Sequence, residues 1–391
     1  EAAVKCINVS CPAQIRRGII HFASRDAMNI DGLGESIISL LLNENIINDI
    51  SDLYKIKKED IVSLERMGEK SATNLINAIN KSKENDLWRK LIMILVTGCF
   101  GYIGRLLCER LLNEGCSVRG LAFSDEVKTG VHSFDPRLDV WVGDITKKNT
   151  LTGIGKSVDV VYHLVGMHGS IEKMRELYVN GTKNLLRELS NSSIKRFIFV
   201  SNHAVYGECG EELITESRIV KSEHPFGKIS IEAEKYVQFA IGQGVPAIIL
   251  RVSEVYGPGK YNVFTMINKT GVSLLGDGNN FMSRIHIEDL LNLLVLAKRG
   301  LDVGNIYNLS DKLSIRQKEY YQEIEKKSGV KVRWIPAEEV SDRVKLGIHG
   351  LRMLSLRLCS DKVTEKLGYC FLYPDAHLGI DSMFNSYLRG E

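Results

Sequence analysis

The sequence predicts an α/β protein, a doubly wound parallel sheet with a smaller C-terminal region, preceded by a small all-α segment. Three observations carry that expectation. From Met93, the stretch MILVTGCFGYIGRLLCERLLNEG is an apolar strand, a glycine-rich turn and an amphipathic helix in succession. Later apolar runs (SVRGLAF, VDVVYHLVG, RFIFVSN and PAIILRVSEVYG) keep up the strand–helix alternation that a parallel sheet requires. Before Met93 the apolar residues recur instead with helical period, in MNIDGLGESIISLLLNENIINDI and again in EDIVSLERMGEKSATNLINAINKSKEN.

Bulk properties narrow the function classes. A chain of 391 residues has room for two or three domains, and 44% apolar with 25% charged residues is ordinary for a soluble globular protein. A formal charge of +3 gives no compositional reason for a nucleic-acid or membrane partner. The eight cysteines, Cys6, Cys11, Cys99, Cys108, Cys116, Cys209, Cys359 and Cys370, are scattered, mostly in apolar runs, as in a reducing compartment. No apolar run approaches the roughly 18 residues of a spanning helix, and no signal peptide opens the chain. The expectation is a cytoplasmic protein without a membrane partner. The first residue is Glu1, which reads as a start inside a longer reading frame.

In the first segment, CINVSC sets Cys6 and Cys11 on a short turn. Structural zinc needs four ligands, usually two such pairs, so these cysteines form an incomplete half-site and no bound zinc is expected. The turns DGLGE and RMGEK place Gly32, Gly34 and Gly68 where two helical hairpins would expose amide N–H groups at helix N-termini. Such helix-hairpin-helix units can hold a DNA phosphate without reading bases, and the near-balance of charge makes that grip weak and salt-sensitive. CINVSCPAQIRRGIIHFASRDAMNIDGLGE, with LERMGEKSATNLINAINKSK, resembles the C-terminal part of the bacterial NAD-dependent DNA ligases over residues 1–92. That resemblance implies half of a zinc finger running into tandem helix-hairpin-helix motifs. The family's Lys-x-Asp-Gly nucleophile motif is missing, and the nearest tetrapeptide, NIDG, has Asn29 where the lysine would stand, so ligation is not expected.

In the second segment the spacing Gly98-x-x-Gly101-x-x-Gly104 lies between strand and helix. There Gly98 permits the turn, Gly101 lets a pyrophosphate approach the backbone, and Gly104 lets helix pack on strand. VTGCFGYIG, VWVGDIT, DVVYHLVG, YVNGTKNLL, FIFVSNHAVYG, RVSEVYGPG and LLGDGNNFMSRIHIEDL occur in the order of the extended short-chain dehydrogenase/reductases. Residues 93–391 resemble that family, its NAD-dependent epimerase/dehydratase branch. The resemblance implies a Rossmann-type sheet with a C-terminal substrate region, a bound NAD or NADP, a nucleotide-sugar-like small molecule and a homodimer. It assigns cofactor contacts to Gly98, Gly101, Tyr102, Ile103, Gly104, Asp144, Ile145 and Leu164. At the end of the second strand Ala122 and Phe123 stand where NAD-specific relatives carry an acid and NADP-preferring ones an arginine. Asp125 comes later and Arg119 lies within the strand, so the choice between the two cofactors stays open.

The family's chemistry depends on a Ser or Thr hydroxyl and on a Tyr-x-x-x-Lys pair along one helix face, the lysine lowering the tyrosine pKa. In this chain those positions fall on Asn202, Phe226 and Ser230. Lys228 is two residues from Phe226 and faces away from it on a helix, while glycine and proline between Tyr256 and Lys260 forbid the helix that would align that pair. His203 is the best improvised acid–base, its ordinary pKa lying near neutrality. Three readings follow. One is a dinucleotide-binding epimerase/dehydratase-like protein with degenerate catalytic residues, fused to a non-ligating ligase fragment. The second is an active nucleotide-sugar enzyme using residues such as His203. The third is a DNA-binding module carrying the rest as a passenger. The abrupt change of pattern at Met93, without a Gly/Ser/Pro linker, reads as a fused or disrupted reading frame.

Overall fold

The computed structural model describes residues 12–23, 30–49, 51–62, 64, 67–84, 92–123, 135–164, 166, 170–190, 192–259, 262–267 and 272–390. Cys6, Cys11, Asp125 and Lys260 lie outside them. The chain divides into two compact units, Glu1–Leu91 and Ile92–Glu391. No described helix is long and apolar enough to cross a membrane.

The first unit contains α1 (Pro12–Ala23), α2 (Glu35–Asn43), α3 (Lys58–Val62) and α4 (Glu69–Glu84). Each helix turns one apolar stripe inward, and Ile19, Ile38, Leu41, Ile61, Ala72 and Ile79 meet in a common core. Gly32 takes φ +83°, left-handed backbone that lets Ile30 and Leu33 both turn into that core. Gly34 is the N-cap of α2 and Gly68 directly precedes α4, so all three predicted glycines sit at turns that start helices.

The second unit is built on a parallel sheet of β1 (Met93–Thr97), β2 (Ser117–Ala122), β3 (Asp139–Val142), β4 (Val160–His163), β5 (Arg196–Asn202), β6 (Ala247–Val252) and β7 (Ile306–Leu309). Their spatial order is β7-β6-β5-β4-β1-β2-β3, every neighbouring pair parallel. The central strands are buried on both faces, which explains their continuous apolar runs in place of alternation. On one face α5 (Tyr102–Asn113) and α8 (Ile287–Gly300) pack through Leu107, Leu111, Leu290 and Leu294. On the other, α6 (Gly181–Leu189) and α7 (Pro225–Gly242) pack through Leu185, Leu189, Ile229 and Val237. Ile92 packs against the first of these cores, so the second unit begins one residue before the start read at Met93.

Beyond the C-terminal strand ends lies the smaller region, made of two-stranded ribbons and of α9 (Gln317–Ser328) and α10 (Ala376–Arg389). Its separate core joins Tyr256, Phe264, Met282, Tyr320, Ile380 and Met383. The direction of chain winding reverses between β1 and β4. Ligands of open α/β sheets bind in the crevice above such a reversal.

Candidate functional site

At that reversal the turn after β1 is shaped by atoms from three segments. Gly98 has φ +71°, and a side-chain carbon there would lie 2.4 Å from the Leu164 carbonyl oxygen, at the end of β4. A carbon on Gly104 would lie 2.1 Å from the Gly98 carbonyl oxygen. That carbonyl also accepts the Gly101 amide at 2.9 Å, which closes the turn. Gly101 is the N-cap of α5 and supplies no side-chain cap. Tyr102, Ile103 and Gly104 form the first turn of α5, whose N-terminus carries no side-chain cap. Tyr102 donates its hydroxyl to the Pro258 carbonyl, tying the turn to the loop after residues 254–256.

The remaining predicted cofactor residues divide. Leu164 stays half-buried at the crevice, its amide donating to the Thr97 carbonyl at 3.3 Å. Asp144 forms a tight local turn, accepting the Thr146 amide at 2.9 Å and hydroxyl at 2.7 Å, with Lys147 at 3.4 Å. Partial burial pushes its pKa up, but the Thr146 hydrogen bonds and the Lys147 ammonium outweigh it and leave the pKa lowered. Ile145 is buried against the start of α6, where a carbon on Gly181 would lie 2.9 Å from its side chain. Asn184, not singled out from the sequence, holds this loop by donating to the Ile145 and Thr146 carbonyls at 3.1 and 3.0 Å. Ala122 is buried and Phe123 exposed at the end of β2. Arg119 turns sideways to Asp139 at 2.7 Å and to the Ile154 carbonyl at 2.8 Å.

Beneath the turn, His163 bridges Thr97 (Nδ1 to Oγ1, 2.7 Å) and Thr182 (Nε2 to Oγ1, 2.9 Å) and is fully buried. Burial lowers its pKa to about 3, so it is a neutral strut between the two sides of the crevice. The histidine is visible in VDVVYHLVG; its partners, 66 and 19 residues away, are not.

The three positions matched to the family's proton machinery lie together. Asn202 ends β5, and its Nδ2 donates to the Ser230 hydroxyl at 2.7 Å while its Oδ1 accepts the Ala204 amide at 3.1 Å. Ser230 is fully buried and donates in turn to the Phe226 carbonyl at 2.9 Å. Phe226 is buried, its ring stacked on His224 at 5.3 Å. Proline at the first helical position and the His224 cap start α7 just before it. Lys228 points outward to Glu223 at 2.9 Å. Tyr256 is buried and donates to Asp311 at 2.7 Å; burial and the Asp311 carboxylate push its pKa far up. His203 hydrogen-bonds the Val252 carbonyl through Nδ1 at 3.1 Å. Burial lowers its pKa despite that bond and the nearby Glu254.

Residues 94–310, more than half of the chain, match the NAD dependent epimerase/dehydratase family. The chain belongs to this family. Among solved epimerase/dehydratase-type structures, UDP-glucose 4-epimerase from Thermotoga maritima superposes with a TM-score of 0.64 at 20% identity, covering 76% of this chain and 99% of that one. UDP-glucuronic acid 4-epimerase from Bacillus cereus, in complex with NAD, gives 0.62 at 20%, covering 76% and 99%. dTDP-glucose 4,6-dehydratase from Streptomyces venezuelae, with NAD bound, gives 0.63 at 22%, covering 76% and 97%. These likenesses establish the fold. The first ninety residues are similar to DNA ligases: 86% identical over 89 residues to that of Clostridioides difficile and 62% over 91 residues to that of Bacillus subtilis. The chain spans only 13% and 14% of the lengths of those ligases. The match to the NAD dependent epimerase/dehydratase family begins at residue 94.

Proposed function

We propose that residues 92–391 bind a nicotinamide dinucleotide, NAD or NADP, together with a nucleotide-sugar-like ligand, and turn the sugar over slowly or not at all. The observation that carries this reading is the Asn202–Ser230–Phe226 chain of hydrogen bonds, in which none of the three side chains is an acid or base near neutral pH. The crevice fits the dinucleotide. A glycine turn with an uncapped helix N-terminus suits a pyrophosphate, and side chains at Gly98 or Gly104 would collide with the backbone that holds the turn in shape. A bound nicotinamide would supply the hydride acceptor, which leaves the sugar's hydroxyl proton for the protein to remove. Phe226 has no hydroxyl to take it, and Ser230 is no lysine to lower a tyrosine pKa. His203, held through Nδ1 and depressed in pKa by burial, is a weak base there. The sugar ligand is supported by relatives solved with UDP-glucuronic acid and UDP-glucose.

For residues 1–92 the reading is a ligase fragment that does not seal nicks. Gly34 and the turn at Gly68 leave helix amides for a phosphate, yet Glu35 and Glu69 occupy the first turns of α2 and α4 and oppose an anion there. DNA contact is therefore weak. A homodimer of the second unit belongs to the same proposal.

The test is dinucleotide binding by calorimetry beside product analysis with UDP-glucose and UDP-glucuronic acid. Saturable binding with negligible turnover is expected. Robust turnover removed by His203→Ala would replace this reading with that of an active enzyme.

A further inference from the structure

The first turn of α7 is tied to a distant segment through a single side chain. Between Val340, which is buried, and Leu351, which packs on the core shared by Phe226 and Ile229, lie a short helix (Asp342–Lys345) and the start of the turn Ile348–Met353. Gly350 folds this strap back on itself: a side-chain carbon there would lie 1.7 Å from the Lys345 carbonyl oxygen. The Lys345 and Gly347 carbonyls both accept from His224 Nε2, each at 3.2 Å. Among the described residues, these are the hydrogen bonds that residues 341–349 make outside the strap. Elsewhere the strap faces water, with Val344 40% and Leu346 46% exposed. On its other side His224 caps α7, its Nδ1 accepting the Phe226 amide at 3.3 Å, and it is only 9% exposed. A carbonyl only accepts and an amide only donates, so both contacts demand the same species, a neutral imidazole with its proton on Nε2.

We propose that His224 is a latch that holds residues 341–350 closed over the first turn of α7 while it is neutral and releases them when it is protonated. A proton on Nδ1 would face the Phe226 N–H, donor against donor, so the ring must swing out and take Nε2 away from the strap. An imidazolium at the N-terminus of α7 also opposes the helix dipole, and no acidic residue stands in that first turn to offset it. The strap carbonyls favour the cation, but burial outweighs them and leaves the His224 pKa lowered. Closure is therefore complete above the ordinary value of about 6.5 and is lost as pH falls toward the lowered one. The charged groups around the latch are Glu223, paired with Lys228 at 2.9 Å, and Lys345, 4.0 Å from Asp342, with Arg343 and His349 exposed on the strap. At the far end Glu254 pairs with Arg352, and its pKa is lowered. Burial raises the pKa of Asp289 and Asp311, but they hold Tyr369, Leu372, Tyr373, Tyr256 and His286, none of which belongs to the strap.

So short a helix does not persist once released, and hydrogen exchange of the strap amides in the full chain reads the latch. Corrected for the intrinsic rate at each pH, wild-type protection over residues 342–350 should fall about three- to tenfold between about pH 7.5 and about pH 5.5. About tenfold is the ceiling that one group with an ordinary pKa of about 6.5 sets over that range. His224→Asn keeps an oxygen to cap the Phe226 amide but is too short to reach the strap. It should show low protection at both pH values, with no step between them. His349→Gln should keep the wild-type step. Equal wild-type protection at the two pH values overturns the proposal, as does a folded His224→Asn protein that retains either the wild-type protection or the step. If His224→Asn misfolds, His349→Gln decides: a step kept there upholds the latch at His224, and a step lost there assigns it to His349 and overturns it.

Discussion

Gly104→Ala and Gly101→Val should part company, one through stability and the other through binding alone. The new carbon at 104 would lie 2.1 Å from the Gly98 carbonyl oxygen, 2.9 Å from its carbonyl carbon and 3.0 Å from Cys99 Cα, all backbone atoms with no rotamer to yield. Restoring an ordinary contact of about 3.5 Å to the carbonyl oxygen means moving the turn by about 1.4 Å. Overpacking of that kind costs about 1–3 kcal/mol, of which replacing a helical glycine by alanine returns up to about 1 kcal/mol. With the full return, a net loss of up to roughly 2 kcal/mol is expected, with dinucleotide affinity falling at least about tenfold as the amides shift. At Gly101 the backbone is extended (φ −65°, ψ 161°), and a side-chain carbon would meet only the Gly98 carbonyl oxygen, at 3.2 Å. Gly101→Val should unfold within about 0.5 kcal/mol of wild type while losing dinucleotide, because its methyl groups cover the approach to the helix amides. Urea unfolding and NADH titration read the two quantities separately. Wild-type stability and affinity in Gly104→Ala, or wild-type affinity in Gly101→Val, would refute the assignment of this turn.

Glu234 and Arg251 form a buried pair at 2.7 Å, both side chains at most 3% exposed, so Glu234→Ala should cost about 3–5 kcal/mol in urea unfolding by stranding the guanidinium. His163, held near pKa 3, binds its proton in the unfolded chain first, so its contribution is complete above pH 6.5 and is lost as pH falls toward 3. Between pH 7 and 5 that loss is about 2 kcal/mol, and His163→Gln should show a correspondingly shallower decline in stability against pH. Phe226→Tyr alone should stay inactive on nucleotide sugars, whereas its combination with Asn202→Ser and Ser230→Lys should raise product formation non-additively; equal rates would refute the shared role of these positions. Residues 92–391 expressed alone should unfold cooperatively and bind NADH, since the cores of the sheet and the C-terminal region form within them; a product that needs the first ninety residues to bind would count against two separate units.

By itself the sequence determined the order of strands and helices in the second unit, the glycine turn at the first crossover, and the paired helices around Gly34 and Gly68. These are local: apolar periodicity and backbone freedom depend on residues within one or two turns of each other. It also located Asn202, Phe226 and Ser230, because their spacing within β5 and α7 survives in the chain. Only the tertiary structure decided what those residues do with their polar atoms. Asn202 bonds Ser230 from 28 positions away, and Tyr256 is spent on Asp311, 55 positions on. Leu164 makes glycine obligatory at 98, and Glu254 chooses two arginines, of which Arg352 lies in a distant turn. A hydrogen bond or ion pair forms wherever the packed core leaves two groups facing each other. The sheet order brings together residues that share no local pattern, so the partners of a polar side chain are written in the fold rather than in its neighbours along the chain.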